Sequence, residues 1–161
     1  MSKTVHCNCK SGCKTKRCVC LKNDEACDEN CGCINCKNPL NGIIIITDEV
    51  KKEVVKIIDR FNKEVLDNSP CNYYPRFKHD HLYIDRGDYG HSPAPICSLK
   101  YTGKMDKWKF AIFKYSIMYY DPDEFFFPGI QHVDGTIEGA LKAGMEAYNV
   151  SHRSISFGTF Q

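Results

Sequence analysis

Nine of the chain's eleven cysteines lie between Cys7 and Cys36, in the stretch CNCKSGCKTKRCVCLKNDEACDENCGCINC. Three pairs have the spacing C-x-C: Cys7/Cys9, Cys18/Cys20 and Cys31/Cys33. Cysteines one residue apart are poorly placed to form a disulfide with each other, and an odd number would leave one thiol unpaired. The pattern therefore predicts metal ligands rather than disulfides.

The number of thiols limits the number of metal ions. A closed structural zinc site takes four ligands, so nine thiolates that each bind one ion would serve two zinc ions and leave one thiolate over. Three ions need twelve ligand positions, and nine cysteines supply them when six bind one ion each and three bridge two. The C-x-C pairs favour this bridged cluster because their sulfurs reach neighbouring ions. The predicted ligands are Cys7, Cys9, Cys13, Cys18, Cys20, Cys27, Cys31, Cys33 and Cys36.

The run C-N-C-x3-C-x4-C-V-C-x6-C-x3-C-G-C-x2-C-K-N-P resembles the CXC modules of tesmin-like proteins and of the male-specific lethal subunit of the dosage-compensation complex. It is also similar, more loosely, to the cysteine-rich segment ahead of the SET domain in Enhancer-of-zeste methyltransferases. All nine ligand positions match, as do Lys37, Asn38 and Pro39. The resemblance implies a triangular three-zinc cluster and, for two of the three relatives, sequence-selective binding to double-stranded DNA.

The residues between the ligands suggest how DNA would be contacted. Tesmin-like modules carry a tyrosine before the fourth cysteine that enters the minor groove, whereas this chain has Arg17, which resembles the dosage-compensation module. A guanidinium can donate directed hydrogen bonds to acceptors in a groove. The predicted DNA-binding residues are Lys10, Lys14, Thr15, Lys16, Arg17 and Lys22.

The charge of the N-terminal module is balanced overall but segregated along the chain. Residues 1–40 carry seven basic and four acidic side chains, and nine thiolates with three Zn²⁺ ions would add a charge of about −3. The loaded module would therefore be close to neutral. Its five basic residues from Lys10 to Lys22 nevertheless precede the four acidic residues between Asp24 and Glu29, so one face can still attract phosphates.

Residues 41–161 form a second predicted domain, which begins after the turn-forming segment 38–42. Ile43–Ile46 is either a buried strand or a surface that docks the zinc module. Thr47 is an N-cap for a helix whose apolar positions are Val50, Val54, Ile58, Phe61 and Val65. Strands are predicted at 81–85, 95–101 and 108–115, a second helix after Thr136, and a last strand at 154–160. The expected fold is a small three-zinc cysteine-rich module followed by an α+β domain with an antiparallel sheet and two helices.

Other features of the second domain give weaker indications of a function. The segment from Lys100 to Tyr148 is loosely similar to a pattern in small uncharacterised bacterial proteins, which implies no known activity. A metal site that includes His79 and His81, or a nucleophile at Cys71 or Cys97, lacks a motif. Phe125–Phe127 is interpreted as a buried strand in preference to an exposed patch for a protein partner.

The sequence begins with polar residues and has no apolar run near eighteen residues, so we expect an intracellular protein, nuclear in a eukaryote and otherwise cytoplasmic. A net charge of +2 and a pI near 8.0 exclude a strongly basic, tail-driven nucleic-acid binder. Three hypotheses remain. The first is a zinc protein that binds DNA through its CXC module and uses residues 41–161 as an effector or for dimerisation. The second is a protein-binding adaptor with a purely structural zinc cluster, and the third is an enzyme centred on the second domain.

Overall fold

The computed structural model describes residues 5–67 and 69–149. The chain divides into two compact units, Met1–Ile43 and Ile44–Gln161. The strand predicted at 154–160 lies outside the described residues. No helix in the described part of the chain is long and apolar enough to cross a lipid bilayer.

The first unit is built around its cysteines. Its one regular element among residues 5–43 is helix α1 (Val19–Lys22), a single turn that follows Cys18. Cys7, Cys13, Cys18 and Cys20 are buried together. Leu40 is the only buried leucine, isoleucine or valine among these described residues, so aliphatic burial contributes little to the order of this unit.

The second unit contains helix α2 (Asp48–Val65), strands β1 (Cys71–Lys78), β2 (His81–Asp88), β3 (Ala94–Lys100), β4 (Lys109–Lys114) and β5 (Tyr119–Asp121), and helix α3 (Ile137–Ala147). A 3₁₀ turn, Ile130–His132, precedes α3. The strands form one antiparallel sheet in sequence order, and the register of β2 and β3 shifts between Ile84 and Asp85. The predicted α+β class with an antiparallel sheet and two substantial helices is confirmed.

Both predicted helices begin where the sequence predicts, directly after Thr47 and Thr136, and each threonine caps its helix. Thr47 accepts a hydrogen bond from the backbone N–H of Val50, and Thr136 accepts one from Gly139. Threonine oxygens satisfy backbone donors that have no partner within the first turn of a helix. In α2, however, the last predicted apolar position is wrong. Val65 is 49 % exposed, and the next residue, Leu66, is buried instead.

The main core lies between the two helices and one face of the sheet. Val54, Ile58 and Phe61 of α2 and Leu141 of α3 pack with sheet residues that alternate along their strands, such as Leu82 and Ile84. Alternation places every second side chain of a strand on the same face. The opposite face, which is called the open face below, carries the intervening residues.

Helix α3 contains two glycines that weaken its intrinsic helix propensity. A Cβ atom at Gly139 would lie 2.3 Å from both the Asp134 Oδ1 atom and the His132 carbonyl oxygen. At Gly144 it would lie 2.6 Å from a methyl carbon of Ile96. The glycines therefore allow α3 to approach the sheet and the preceding loop more closely than any other residue type would.

Several details differ from the sequence predictions. Ile43–Ile46 forms no strand: Ile46 is buried, whereas Ile44 and Ile45 are exposed. The interpretation of Phe125–Phe127 as a buried strand is wrong, because these residues form no strand and Phe126 is 96 % exposed. Strands β1 and β5 were not predicted.

Candidate metal centre

Backbone hydrogen bonds between the beginning and the end of the cysteine-rich segment bring the nine cysteines together. The N–H groups of Gly32 and Ile34 donate to the carbonyl oxygens of Cys7 and Cys9, at 2.9 and 3.0 Å. The Lys37 N–H donates to the Gly12 carbonyl oxygen at 2.7 Å. These contacts place the last third of the unit beside its first segment and enclose the thiols between them.

Asn38, which follows the last cysteine, fixes this closure. It is 3 % exposed, and its side-chain amide donates to the Glu25 carbonyl oxygen at 2.9 Å and to the Cys27 Sγ atom at 3.3 Å. Its side-chain oxygen accepts a hydrogen bond from the Leu40 N–H at 2.9 Å. Asn38 therefore joins the segment after the cysteines to one of the sulfurs, a role that the motif spacing alone did not reveal.

Eight of the nine thiols form three overlapping quartets in which the four Sγ atoms lie within 4.8 Å of one another. The first quartet is Cys7, Cys20, Cys27 and Cys31, the second is Cys7, Cys13, Cys18 and Cys27, and the third is Cys13, Cys27, Cys33 and Cys36. Cys9 is in none of the quartets found among the described residues, although it packs against the same cluster. Cys7, Cys13 and Cys27 each belong to more than one quartet.

The sulfur spacings suit a tetrahedral metal ion. The Sγ atoms of Cys7 and Cys13 are 3.7 Å apart, and those of Cys7 and Cys27 and of Cys20 and Cys31 are 3.6 Å apart. Four sulfurs at about 2.3 Å from one zinc ion would be separated by about 3.8 Å. These three pairs of thiols are therefore already at the spacing of ligands to one metal ion.

The electrostatics of the cluster also call for a cation. Burial raises the pKa values of Cys7 and Cys13, and it raises the pKa of Cys27 to about 12 despite the hydrogen bond from Asn38. Burial opposes ionisation of Cys18 as well, but hydrogen bonds, including one from the Leu21 N–H, lower its pKa to about 6. Buried thiolates are costly without a compensating charge, and a bound divalent ion supplies that charge.

The predicted DNA-binding residues form an exposed arm on this unit. Lys10, Lys14, Thr15, Lys16, Arg17 and Lys22 are all exposed. The Cys18 N–H donates to the Thr15 carbonyl oxygen at 3.0 Å, which closes a tight turn with Lys16 and Arg17 at its centre. Within residues 5–67 and 69–149, none of the five basic residues of the arm forms an ion pair.

A fourth group of candidate ligands was not predicted from the sequence. The His6 Nδ1 atom lies 3.3 Å from the Asp28 Oδ1 atom, and both side chains lie near the sulfur of Cys31. Cys31 also belongs to the first quartet. The signal available in the sequence was the position of His6 immediately before the first cysteine.

The weaker candidates in the second unit do not form such a cluster. His81 Nδ1 lies 2.7 Å from Asp80 Oδ1, and His79 occupies the turn between β1 and β2. Neither histidine belongs to a group of candidate metal ligands in the described ranges. Cys71 and Cys97 are buried, and burial raises the pKa values of both thiols, as is typical of structural cysteines.

Comparisons with known proteins add no relative. A scan against protein-family models finds no match, and searches of curated proteins and of solved structures return no significant match. The features from which a function can be inferred are the cysteine cluster, the basic arm and the surfaces of the second unit.

Proposed function

We propose that the protein is a zinc-dependent DNA-binding factor whose first unit is a CXC module with three zinc ions. The overlapping quartets support this stoichiometry. If Cys7, Cys13 and Cys27 bridge two ions each, the first ion also takes Cys20 and Cys31, and the third takes Cys33 and Cys36. Cys27 also belongs to the second quartet, but as a bridge between the first and third ions it leaves the second ion with Cys7, Cys13 and Cys18. Cys9, the remaining cysteine of the motif, packs against the same cluster and is the candidate for the fourth ligand.

Zinc supplies structural cross-links and charge compensation in this proposal, not catalysis. Asn38 orients Cys27 through its 3.3 Å contact, and the Asn41 side-chain amide makes a matching 3.3 Å contact with the Cys36 sulfur. Hydrogen bonds of this kind hold ligands in place and tune their basicity. The chain's residues therefore provide both the ligands and the polar groups that orient two of them.

The placement of Arg17 is the observation that carries the DNA part of the proposal. Arg17 lies at the centre of an exposed turn and is bonded directly to Cys18, a predicted zinc ligand. A metal-anchored turn holds its backbone rigidly while the guanidinium extends into solvent. Arg17 would enter a groove, and Lys10, Lys14, Lys16 and Lys22 would contact phosphates.

A titration of labelled duplex DNA with the full zinc-loaded chain at two salt concentrations tests the proposal. Arg17→Ala should weaken binding to a preferred duplex, selected from a random pool, about 5- to 150-fold more than binding to random duplex, because a groove contact distinguishes bases. The matched variant Lys14→Ala should weaken binding to both duplexes and flatten the salt dependence. Neither variant should change the zinc content, since neither removes a ligand.

The exposed phenylalanines favour a second candidate function. Phe125 is 63 % exposed and Phe126 is 96 % exposed, and neighbouring exposed aromatic side chains are typical of protein interaction sites. In this alternative the protein is an adaptor that binds a protein partner through its second unit, and the zinc cluster only stabilises the first unit. The same titration distinguishes the two functions: no duplex binding by the zinc-loaded wild type at low salt would contradict the DNA proposal and favour the adaptor.

A further inference from the structure

The open face of the sheet carries a row of basic residues across four adjacent strands. Lys78 of β1 is paired with His81 of β2, His81 with Lys100 of β3, and Lys100 with Lys109 of β4. Directly paired residues in an antiparallel sheet point to the same face. With strands about 4.8 Å apart, this basic row is about 14 Å long.

The basic row is not explained by the stability of the sheet. Lys100 and Lys109 face each other directly, and like charges in this position are destabilising. Asp80 compensates the charge of Lys100, since its carboxylate lies 3.4 Å from the Lys100 amino group, and it also contacts His81 Nδ1 at 2.7 Å. Lys78 and Lys109 form no ion pair within the described part of the chain. The row can therefore bind an anion that spans several strands.

A hollow of about 320 Å³ lies beside the basic row on the open face. Its lining includes Ser98 and Ala111, two small residues paired across β3 and β4, together with Tyr83, Tyr119 and Tyr120. The small side chains leave space beside the tyrosine rings. Ligand pockets start at about 300 Å³, so the hollow has the size for one ring system rather than a large ligand.

Of the three tyrosines that line the hollow, Tyr119 has an exposed side chain, whereas Tyr83 and Tyr120 are half-buried. The ring of Tyr83 lies 5.9 Å from His81 in a stacked arrangement and 5.2 Å from Tyr120, and the Arg76 guanidinium lies 5.1 Å from its centroid. Arg76 is itself fixed by a two-point ion pair with Asp85. Tyr119 is 61 % exposed at the rim of the hollow.

We propose that the open face binds single-stranded nucleic acid, with a base stacked on Tyr119 at the rim of the hollow and the adjoining phosphates on the basic row. A ligand that has a flat ring beside repeated negative charges could place the ring in the hollow and the charges on the basic row. Aromatic side chains on an exposed sheet face and a positive groove along the backbone are the features that bind single strands. The site belongs to the second unit and does not depend on the proposed contact between the zinc module and duplex DNA.

Fluorescence anisotropy of labelled oligo-deoxythymidine, titrated with the full zinc-loaded chain, tests this proposal. The double variant Lys78→Gln/Lys109→Gln should weaken binding at least tenfold and reduce the magnitude of the salt slope by about 1.4, as expected for two lost single-strand phosphate contacts. Tyr119→Ala should weaken binding at least fivefold with little change in the salt slope, because it removes stacking rather than charge. All three side chains are exposed, so the fold should persist in both variants.

Two control variants keep the proposal falsifiable. Lys104→Gln/Lys107→Gln removes the same charge from exposed loop positions between β3 and β4 and should have little effect. An equal loss in this control would show that binding reflects net charge alone and would overturn the proposal. Arg17→Ala tests the zinc module separately: if this variant loses single-strand binding and the basic-row variant keeps it, the binding belongs to the first unit and the inference is wrong.

Discussion

At the scale of single residues, the three overlapping quartets divide the cysteines into two classes. Cys7, Cys13 and Cys27 recur in different quartets, whereas Cys20, Cys31, Cys18, Cys33 and Cys36 each occur once. Cys27 occurs in all three quartets. A cysteine that bridges two ions should matter more to the metal content than one that binds a single ion.

We therefore expect Cys27→Ser to release more zinc than Cys36→Ser. Loss of a bridging ligand opens two tetrahedral sites and should leave about one tightly bound ion of three, whereas loss of a terminal ligand should leave about two. The two positions are well matched, because both thiols are partly buried and both accept a side-chain amide hydrogen bond at 3.3 Å. Elemental analysis after gel filtration provides the measurement.

Cys71→Ser serves as the control, since Cys71 lies in β1 outside the cluster, and it should release no zinc. Equal losses from Cys27→Ser and Cys36→Ser would contradict the assignment of Cys27 as a bridge. A content near two ions in the wild type would favour separate sites over the bridged cluster.

The sequence predicts the candidate ligands but not their grouping. Spacing shows that nine thiols are close along the chain, and counting ligand positions suggests three bridges. Which thiols bridge depends on contacts between distant segments, such as the hydrogen bond from Gly32 to Cys7. The role of Asn38 cannot be predicted from the sequence either, because its partners Glu25 and Cys27 precede it by more than ten residues.

At the scale of secondary-structure elements, local signals explain which predictions succeed. Thr47 and Thr136 cap their helices through contacts within one turn, so sequence patterns find them. Strand β1 contains Pro75, which argues against a central strand, yet β1 lies at the edge of the sheet, where proline is tolerated. Strand β5 has three residues and offers no alternation to detect.

Helix α3 provides a test in which local propensity and packing oppose each other. Alanine is favoured over glycine in a helix by about 1 kcal/mol, so Gly139→Ala would stabilise an isolated helix. Here the new methyl group would meet the His132 carbonyl oxygen and the Asp134 carboxylate. We expect a net destabilisation of about 1–3 kcal/mol, typical of overpacking, in urea unfolding of the full chain.

The exposed position Lys142 in the same helix is the control for this test. Lys142→Ala should change the free energy of unfolding by less than about 0.5 kcal/mol, as for most surface substitutions. Unchanged or increased stability of Gly139→Ala would show that α3 can move away from the loop, and that close approach is not the reason for the glycine.

At the scale of the whole molecule, the two units gain their order from different sources. The second unit has an apolar core that includes Trp108, the chain's only tryptophan. In the first unit, among residues 5–43, the buried side chains are mostly cysteines, with Leu40 as the buried aliphatic residue. About forty residues with so little apolar burial offset little of the conformational entropy lost on folding, so we expect bound metal to supply the difference.

Removal of zinc with a strong chelator should therefore unfold the first unit and leave the second folded. We expect the amide proton signals of residues in the first unit to lose their dispersion in NMR spectra, while the fluorescence maximum of buried Trp108 stays unchanged. Addition of zinc should restore the dispersed signals. Native-like dispersion of the first unit after complete chelation would show that its fold does not depend on metal. A red shift of Trp108 emission on chelation would instead show that the core of the second unit also depends on zinc, which its apolar packing does not predict.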